Sequence, residues 1–260
     1  MELGIQGRRA IVCASSMGLG RACATSLARA GVAVTINARN AERLAQTADE
    51  IAQAIPGASI NTVAADVTTP EGQAALFEAC PAPDILITNA GGPPFKHFSE
   101  LNRDELIDGV KMNMITPIEL VQRAIGGMVD RKFGRIVNIT SVSVKMPISG
   151  LDLSSGARAG LTAFLAGVAR DVAPSNVAIN NLLPGYFDTD RFRSGLSAWA
   201  NSQGSSEKAV RDARSREVPA RRIGDPEEFG NVCAFLCSSS AGYLVGQNIL
   251  LDGGLYPSAF

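Results

Sequence analysis

Short, continuously apolar runs recur along the chain, each followed by a stretch with apolar residues at helical spacing. The runs lie at 10–13, 32–37, 60–64, 84–88, 135–140, 177–183 and 248–251. Runs of about four to eight apolar residues without alternation suit strands buried on both faces. Helical patterns fill 21–30, 40–55, 102–132 and 152–173, with further starts near 69 and 225. Strands alternating with helices over short connections predict one doubly wound α/β parallel sheet of seven strands, in three α/β/α layers.

Local signals sharpen the helix starts. Asn40 and Thr69 are N-cap residues, Thr69 with Pro70 at the first helical position. Asn102-x-x-Glu105 is a capping box, and Asp225-Pro226-x-Glu228 combines a cap with an N1 proline. The 102–132 helix is expected to be interrupted near Pro117. Residues 186–216 hold several arginines and no strand pattern, which predicts a mobile lid or substrate loop.

Composition narrows the function classes. No linker, repeat or like-charge block divides the 260 residues, so 1–260 reads as one domain. A net charge of −1 gives no field for nucleic acid or an anionic membrane. No apolar run approaches the ~20 residues of a membrane span, and MELGIQGRR lacks a signal-peptide core. The five cysteines, at 13, 23, 80, 233 and 237, are odd in number and lack metal-ligand spacing. A reduced, cytoplasmic protein fits these features.

The candidate chemistry begins at AIVCASSMGLGRA, residues 10–22. An apolar run ends in small residues, then Gly18 and Gly20 open a helix. Glycine lets backbone approach a pyrophosphate, and a helix N-terminus offers free N–H groups and a positive dipole end. The spacing is close to TGxxxGxG, with Cys13 and Ala14 at the Thr and first Gly. A small-residue turn with no ligand is the alternative reading.

Further segments agree in order and spacing: Asp66-Val67, Asn89-Ala90-Gly91, GRIVNITSV at 134–142, Pro184-Gly185 with Thr189, RRIGDPEEFGNVCAFL at 221–236 and GQNILLDGG at 246–254. With these the chain resembles the short-chain dehydrogenase/reductases over nearly its whole length, in texture the 3-oxoacyl-acyl-carrier-protein reductases. The resemblance implies a Rossmann-type sheet. It further implies that Ser16, Gly18, Leu19 and Gly20 form the pyrophosphate loop, and that Asp66 and Val67 hold adenine. Asn89, Ala90, Gly91, Pro184 and Gly185 would flank the cofactor, and Thr189 would contact the nicotinamide carboxamide. Ser141 would hydrogen-bond a substrate carbonyl, and Asn113 would hold a proton-relay water. Blander roles stay open: Asp66 as a helix cap, Asn89 as a strand brace, Asn113 as an ordinary helix residue.

The end of the second strand bears on the cofactor. An NAD site places a carboxylate there, about 20 residues past the glycines, for the ribose 2′-OH. This chain has Asn37-Ala38-Arg39-Asn40. A guanidinium suits a 2′-phosphate, so NADP(H) is favoured over NAD(H), with Arg39 as its ligand.

One departure matters most. The resemblance puts a Tyr thirteen residues after Ser141 and a Lys four further on, and this chain has Ser154 and Arg158 there. An ammonium one turn away draws a phenol from its usual pKa near 10 toward neutral, making it a general acid. A serine hydroxyl, about as weak an acid as bulk water, cannot serve so. Arg158 could still hold the nicotinamide ribose. Two function classes follow. One is an oxidoreductase acting on a small-molecule or acyl-thioester carbonyl with an atypical proton-transfer site. The other is an inactive nucleotide-binding sensor or scaffold. Tyr186 and Lys145 are candidate substitute acids, although packing or solvation explains each more simply. His97, the only histidine, reads as a surface residue. The helical regions 102–132 and 152–173, with Gly156, Ala157, Gly160, Ala163 and Ala166, predict a homodimer or homotetramer.

Overall fold

A computed structural model describes residues 2–92 and 95–258. Its strands are β1 (Arg9–Val12), β2 (Ala33–Ala38), β3 (Ile60–Ala64), β4 (Ile85–Thr88), β5 (Gly134–Ile139), β6 (Val177–Pro184) and β7 (Asn248–Leu251). All pair in parallel in the order β3-β2-β1-β4-β5-β6-β7. The expected seven-stranded doubly wound sheet is therefore present.

Side chains that alternate along each strand feed two separate cores. Ala10, Val12, Ile85, Ile87 and Val137 join helices α1 (Gly18–Arg29), α2 (Ala41–Ala54) and α9 (Pro226–Leu236) through Leu27, Leu44 and Phe229. Ile11, Leu86 and Ile136 point the other way. They meet α3 (Pro70–Ala79), α5 (Thr116–Asp130) and α6 (Asp152–Val172) through Leu76, Leu120 and Leu161. Both faces are covered, which is why the strands read as unbroken apolar runs.

The caps form as the sequence predicts. Asn40 accepts from the Arg43 N–H at 2.8 Å, and Thr69 accepts from Gly72 at 3.1 Å. The Asn102–Glu105 and Asp225–Glu228 capping boxes both close. Such caps contribute about 1 kcal/mol each. All five cysteines are free and buried, and among the described residues no helix is long and apolar enough to cross a membrane.

The 102–132 helical region is interrupted near Pro117 as expected: α4 (Arg103–Val110) runs through a π turn at Lys111–Ile115 into α5, with helical backbone at each junction and Pro117 in the turn that follows. One expectation needs correction: 186–216 is not a loop. It folds into α7 (Asp190–Gln203) and α8 (Glu207–Glu217), capped by the hydroxyls of Thr189 and Ser206. Gly204 stops α7 in a left-handed conformation, at φ +58°. Phe192, Leu196, Ala200, Val210 and Ile223 give this pair a small core of its own.

Candidate active site

The carboxyl ends of β1, β2, β4, β5 and β6 open onto a cleft of about 1020 Å³. It lies where the strand order reverses between β1 and β4, the topological switch point of such sheets.

At one end, β1 runs into a tight turn in which Ala14 (φ +46°) and Gly18 (φ +56°) both take left-handed backbone conformations. The start of α1 is unusual for this chain. Met17 supplies no capping side chain, and no acidic residue lies in the first turn. In contrast α2, α3, α4, α7, α8 and α9 are each capped by a side chain, and α5 and α6, uncapped as well, carry Glu119 and Asp152 in their first turns. Gly18 and Leu19 line the cleft, so this positive helix end faces it. Gly20 does not line it. A Cβ there would sit 2.3 Å from the Ala14 carbonyl oxygen, so this glycine lets α1 pack on its own turn. The amide of Asn89 donates to that carbonyl at 3.1 Å, bracing β4 to β1 while lining the cleft.

Ser16, Arg39, Asp66, Val67, Ala90 and Gly91 line the same end. Asn37 is committed elsewhere: its side-chain amide donates to Val63 and Ala65 at 2.9 and 3.0 Å, tying β2 to the end of β3. Arg39 is exposed and forms no ion pair with any described residue. The Asp66 carboxylate accepts from the Thr68 N–H and hydroxyl at 2.9 and 2.8 Å. Those bonds, the backbone one foremost, hold it below the usual carboxylate range. Asp66 is not the helix cap, since Thr69 fills that role.

The other end is built by β5, α6 and the start of α7. Ser141, Ser154, Arg158, Pro184, Gly185 and Thr189 all line it. Ser154 and Arg158 lie one turn apart on α6, at 5 % and 8 % exposure. The Arg158 Nε–H donates to Ser154 Oγ at 3.2 Å and Nη1 donates to the Ile139 carbonyl at 2.7 Å. Burial, with a smaller push from Arg191, lowers Arg158 to about 10, so it is still a cation at neutral pH. Ser141 Oγ accepts from the Ser143 N–H at 3.1 Å. Thr116 and Thr140 also line the cleft, and their hydroxyls are buried without a partner among the described residues.

Asn113 is not brought into the cleft lining. It sits in the π turn, donating to the Gly109 carbonyl at 3.2 Å, and its buried Oδ1 has no described partner. The candidate substitute acids fare no better. Lys145 is exposed and His97 is an exposed surface residue 2.7 Å from Ser99 Oγ; neither lines the cleft. Tyr186 does line it, but burial raises its phenol, the wrong direction for an acid at neutral pH.

Arg191 is the residue that sequence reasoning missed. It stands in the first turn of α7, donates to the Gly92 carbonyl at 2.9 Å, and lies 6.0 Å from the Phe95 ring centre. Met112, Leu151, Phe192 and Trp199 add an apolar wall. The available signal was Thr189-Asp190, a cap and an acidic first turn that would have placed Arg191 on a helix facing the Thr189 loop.

Comparison with known proteins gives a consistent picture. The family model described as enoyl-(acyl carrier protein) reductase matches residues 13–256. The 3-oxoacyl-[acyl-carrier-protein] reductase FabG of Aquifex aeolicus is 32 % identical, over 98 % of this chain and 100 % of its own. The NADPH-dependent reductase BacG of Bacillus subtilis is 29 % identical over 95 % and 97 %. Among solved structures, L-sorbose reductase from Gluconobacter frateurii, complexed with NADPH and L-sorbose, superposes with a TM-score of 0.94. It is 28 % identical, with 99 % of this chain and 100 % of that one covered.

Proposed function

The chain belongs to the short-chain dehydrogenase/reductase family of oxidoreductases, and from that premise we propose that it interconverts a carbonyl compound and its alcohol with NADP(H). The observation that supports the cofactor reading is the start of α1, free of a capping side chain and of acidic residues, facing a cleft that Gly18, Asn89 and Asp66 also line. The unpartnered Thr116 and Thr140 hydroxyls fit a ligand bound there. Gly18, Leu19 and Ser16 would meet the pyrophosphate, with Gly20 shaping the turn beneath. Arg39 would meet the 2′-phosphate, Asp66 and Val67 the adenine. Thr189 keeps its hydroxyl hydrogen for the carboxamide while its oxygen accepts from Phe192 at 3.3 Å. When bound, NADPH supplies the hydride.

At the carbonyl, Ser141 and Ser154 would hold the oxygen with their hydroxyl hydrogens. Ser154 accepts from Arg158, which polarises the serine and places a positive charge behind the oxygen as negative charge develops. Neither group is an acid of suitable strength, so the proton reaches the alkoxide from water at the open cleft. Electrostatic stabilisation therefore replaces general-acid catalysis. Asn113 would act behind this site rather than in it.

A second reading, a nucleotide-binding sensor without turnover, draws on the same Ser154–Arg158 bond, because each side chain finds a partner in the other. NADPH oxidation with a panel of ketones and 3-oxoacyl thioesters separates the two. The oxidoreductase reading expects slow but saturable turnover. Tight NADPH binding with no turnover on any member overturns it. The exposed Leu106, Ile107, Val110, Ile115 and Phe164, beside outward-facing Gly156, Ala163 and Ala166, support a homodimer or homotetramer. Ala157 and Gly160 do not serve that contact: Ala157 is buried, and a Cβ on Gly160 would meet Met114 Sδ at 2.8 Å.

A further inference from the structure

Aromatic residues make up only 5 % of this chain, yet several gather on one wall of the cleft. Phe95, Tyr186, Phe192 and Trp199, the single tryptophan, all line it. Their rings form one connected group. Phe95 and Trp199 have centres 5.8 Å apart at 71°, Phe192 and Trp199 6.5 Å at 72°, and Tyr186 and Phe192 5.9 Å at 40°. Phe95 comes from the segment after β4 and Trp199 from α7, so distant parts of the chain assemble this wall. Phe95 is 48 % exposed, a large apolar surface that its neighbours leave open.

The indole is fixed from behind and open toward the cleft. On α8, the Arg214 guanidinium lies 4.6 Å from its ring centre and is itself held by both oxygens of Glu217, at 3.1 and 3.0 Å. Arg214 does not line the cleft, so it backs the ring. Trp199 also packs on the small α7–α8 core. One turn before it, lining the cleft, stands Gly195, in the interior of α7. Glycine there weakens a helix relative to alanine. Neither a left-handed φ nor a close approach requires it. The three atoms nearest an added Cβ all belong to the indole, at 3.6–3.9 Å, which is ordinary contact. The missing side chain therefore serves no packing within the chain; it leaves space beside the six-membered ring of Trp199.

We propose that this space is an aryl slot and that the substrate is an aryl-substituted ketone. Its ring packs on the indole of Trp199 beside Gly195 and against Phe95, while its carbonyl oxygen meets Ser141 and Ser154 in the same cleft. Phe95 and Trp199 stand nearly perpendicular, so a third ring laid on one presents itself edge-on to the other. Offset and edge-to-face contacts of this kind favour an arene beyond the area it buries, whereas a saturated ring gains burial alone. The reaction is balanced: hydride forms a C–H bond at the carbonyl carbon and the C=O π pair moves to oxygen. That oxygen takes a proton from water, the ketone becomes a secondary alcohol, and NADPH is oxidised to NADP⁺.

This inference rests on the NADP(H) oxidoreductase reading, and the test keeps their failures apart. The full chain with NADPH is given 4-phenyl-2-butanone, 4-cyclohexyl-2-butanone and acetone, and kcat/KM is read for each. Binding of 4-phenyl-2-butanol to the NADP⁺-saturated protein is measured by calorimetry and by the emission of Trp199, the only indole in the chain; neither needs turnover. The alcohol is expected to change that emission. Trp199→Leu is expected to lower the phenyl-to-cyclohexyl ratio about 2- to 10-fold, the range of an aromatic pair beyond its buried area. Comparing ratios cancels the different hydrophobicities of the two rings. Gly195→Leu improves the helix former and fills the slot, so both ring substrates should fall about 10-fold relative to acetone. Binding of 4-phenyl-2-butanol that alters Trp199 emission, with no ketone turned over, sustains the slot and overturns the oxidoreductase reading alone. The slot is overturned by a ratio that Trp199→Leu leaves unchanged, or by a Gly195→Leu protein that treats ring substrates and acetone alike. It is also overturned by 4-phenyl-2-butanol that fails to bind, or that binds without altering the indole emission.

Discussion

The two ends of the cleft are held together differently. At the end formed by β1, α1 and β4, the shape depends on main chain: the Ala14 carbonyl, the Gly18 and Leu19 amides, and Asn89 bonded to backbone. At the other end the placement depends on side chains, with Arg158 bonded to Ser154 and to one strand carbonyl. Backbone geometry tolerates few replacements because a Cβ or a changed φ alters the fold. A side-chain pair at i and i+4 can be exchanged for another pair with the helix intact. On the function proposed above, this difference accounts for a glycine turn retained at one end and Ser154 with Arg158 in place of another pair at the other.

At the main-chain end the contrast is sharpened by Gly20→Ala. Its new Cβ would lie 2.3 Å from the Ala14 oxygen and 2.9 Å from Asn89 Nδ2, both groups that shape the turn. Overpacking of this kind costs roughly 1–3 kcal/mol, and NADPH binding should fall with it. Chemical denaturation and cofactor titration read the two losses. A variant of unchanged stability and affinity would remove the packing argument.

The largest effect is expected from the double change Ser154→Tyr with Arg158→Lys. It should raise carbonyl reduction by about 10²–10⁴, the usual worth of a general acid, while NADPH affinity changes little. Either single change should achieve far less, since phenol and ammonium act as a unit. Steady-state kinetics on the four proteins check this. Equal gains from one single change would show that the pair is not the determining difference.

A smaller effect belongs to Arg39→Ala. Wild type should prefer NADPH to NADH, and the variant should lose about 10- to 100-fold of that preference, the range of a charge-assisted contact. Equal affinities in the wild type would show that the exposed guanidinium does not read the 2′-phosphate.

The smallest is Ala14→Gly. Ala14 stands at φ +46°, where an L side chain costs roughly 1–2 kcal/mol, so glycine should stabilise the chain by about 1 kcal/mol after its unfolded-state entropy is counted. Denaturant midpoints measure this, and a destabilised variant would mean that the Ala14 methyl is needed for packing.

Much of the fold was legible because its determinants are local. Asn40 bonds Arg43, Asn102 bonds Glu105 and Asp225 bonds Glu227, so each cap lies within a few residues of its partner. Both-face burial made the strands continuous apolar runs. The alignment of Ser141, Ser154 and Arg158 was legible for the same reason, through spacing along one strand end and one helix. The α7–α8 pair was missed because its apolar face is small beside its polar content, although Thr189, Gly204 and Ser206 marked its ends.

Other properties were fixed only in three dimensions. Whether a glycine faces ligand or packing depends on what arrives opposite it: Gly18 lines the cleft, while Gly20 meets Ala14 and Asn89. The π turn that carries Asn113 out of the cleft lining packs against α6, where Gly160 admits Met114. Arg191 reaches its place through the carbonyl of Gly92, 99 residues earlier. The sequence by itself determined the sheet, its caps, the glycine turn at the start of α1 and the placing of Ser154 and Arg158 on one helix face, because each is written in contiguous residues or one helical period. Only the tertiary structure decided that Arg158 lies buried with no carboxylate partner among the described residues and that Arg191 lines the same cleft, because burial and field are sums over segments that meet only after folding.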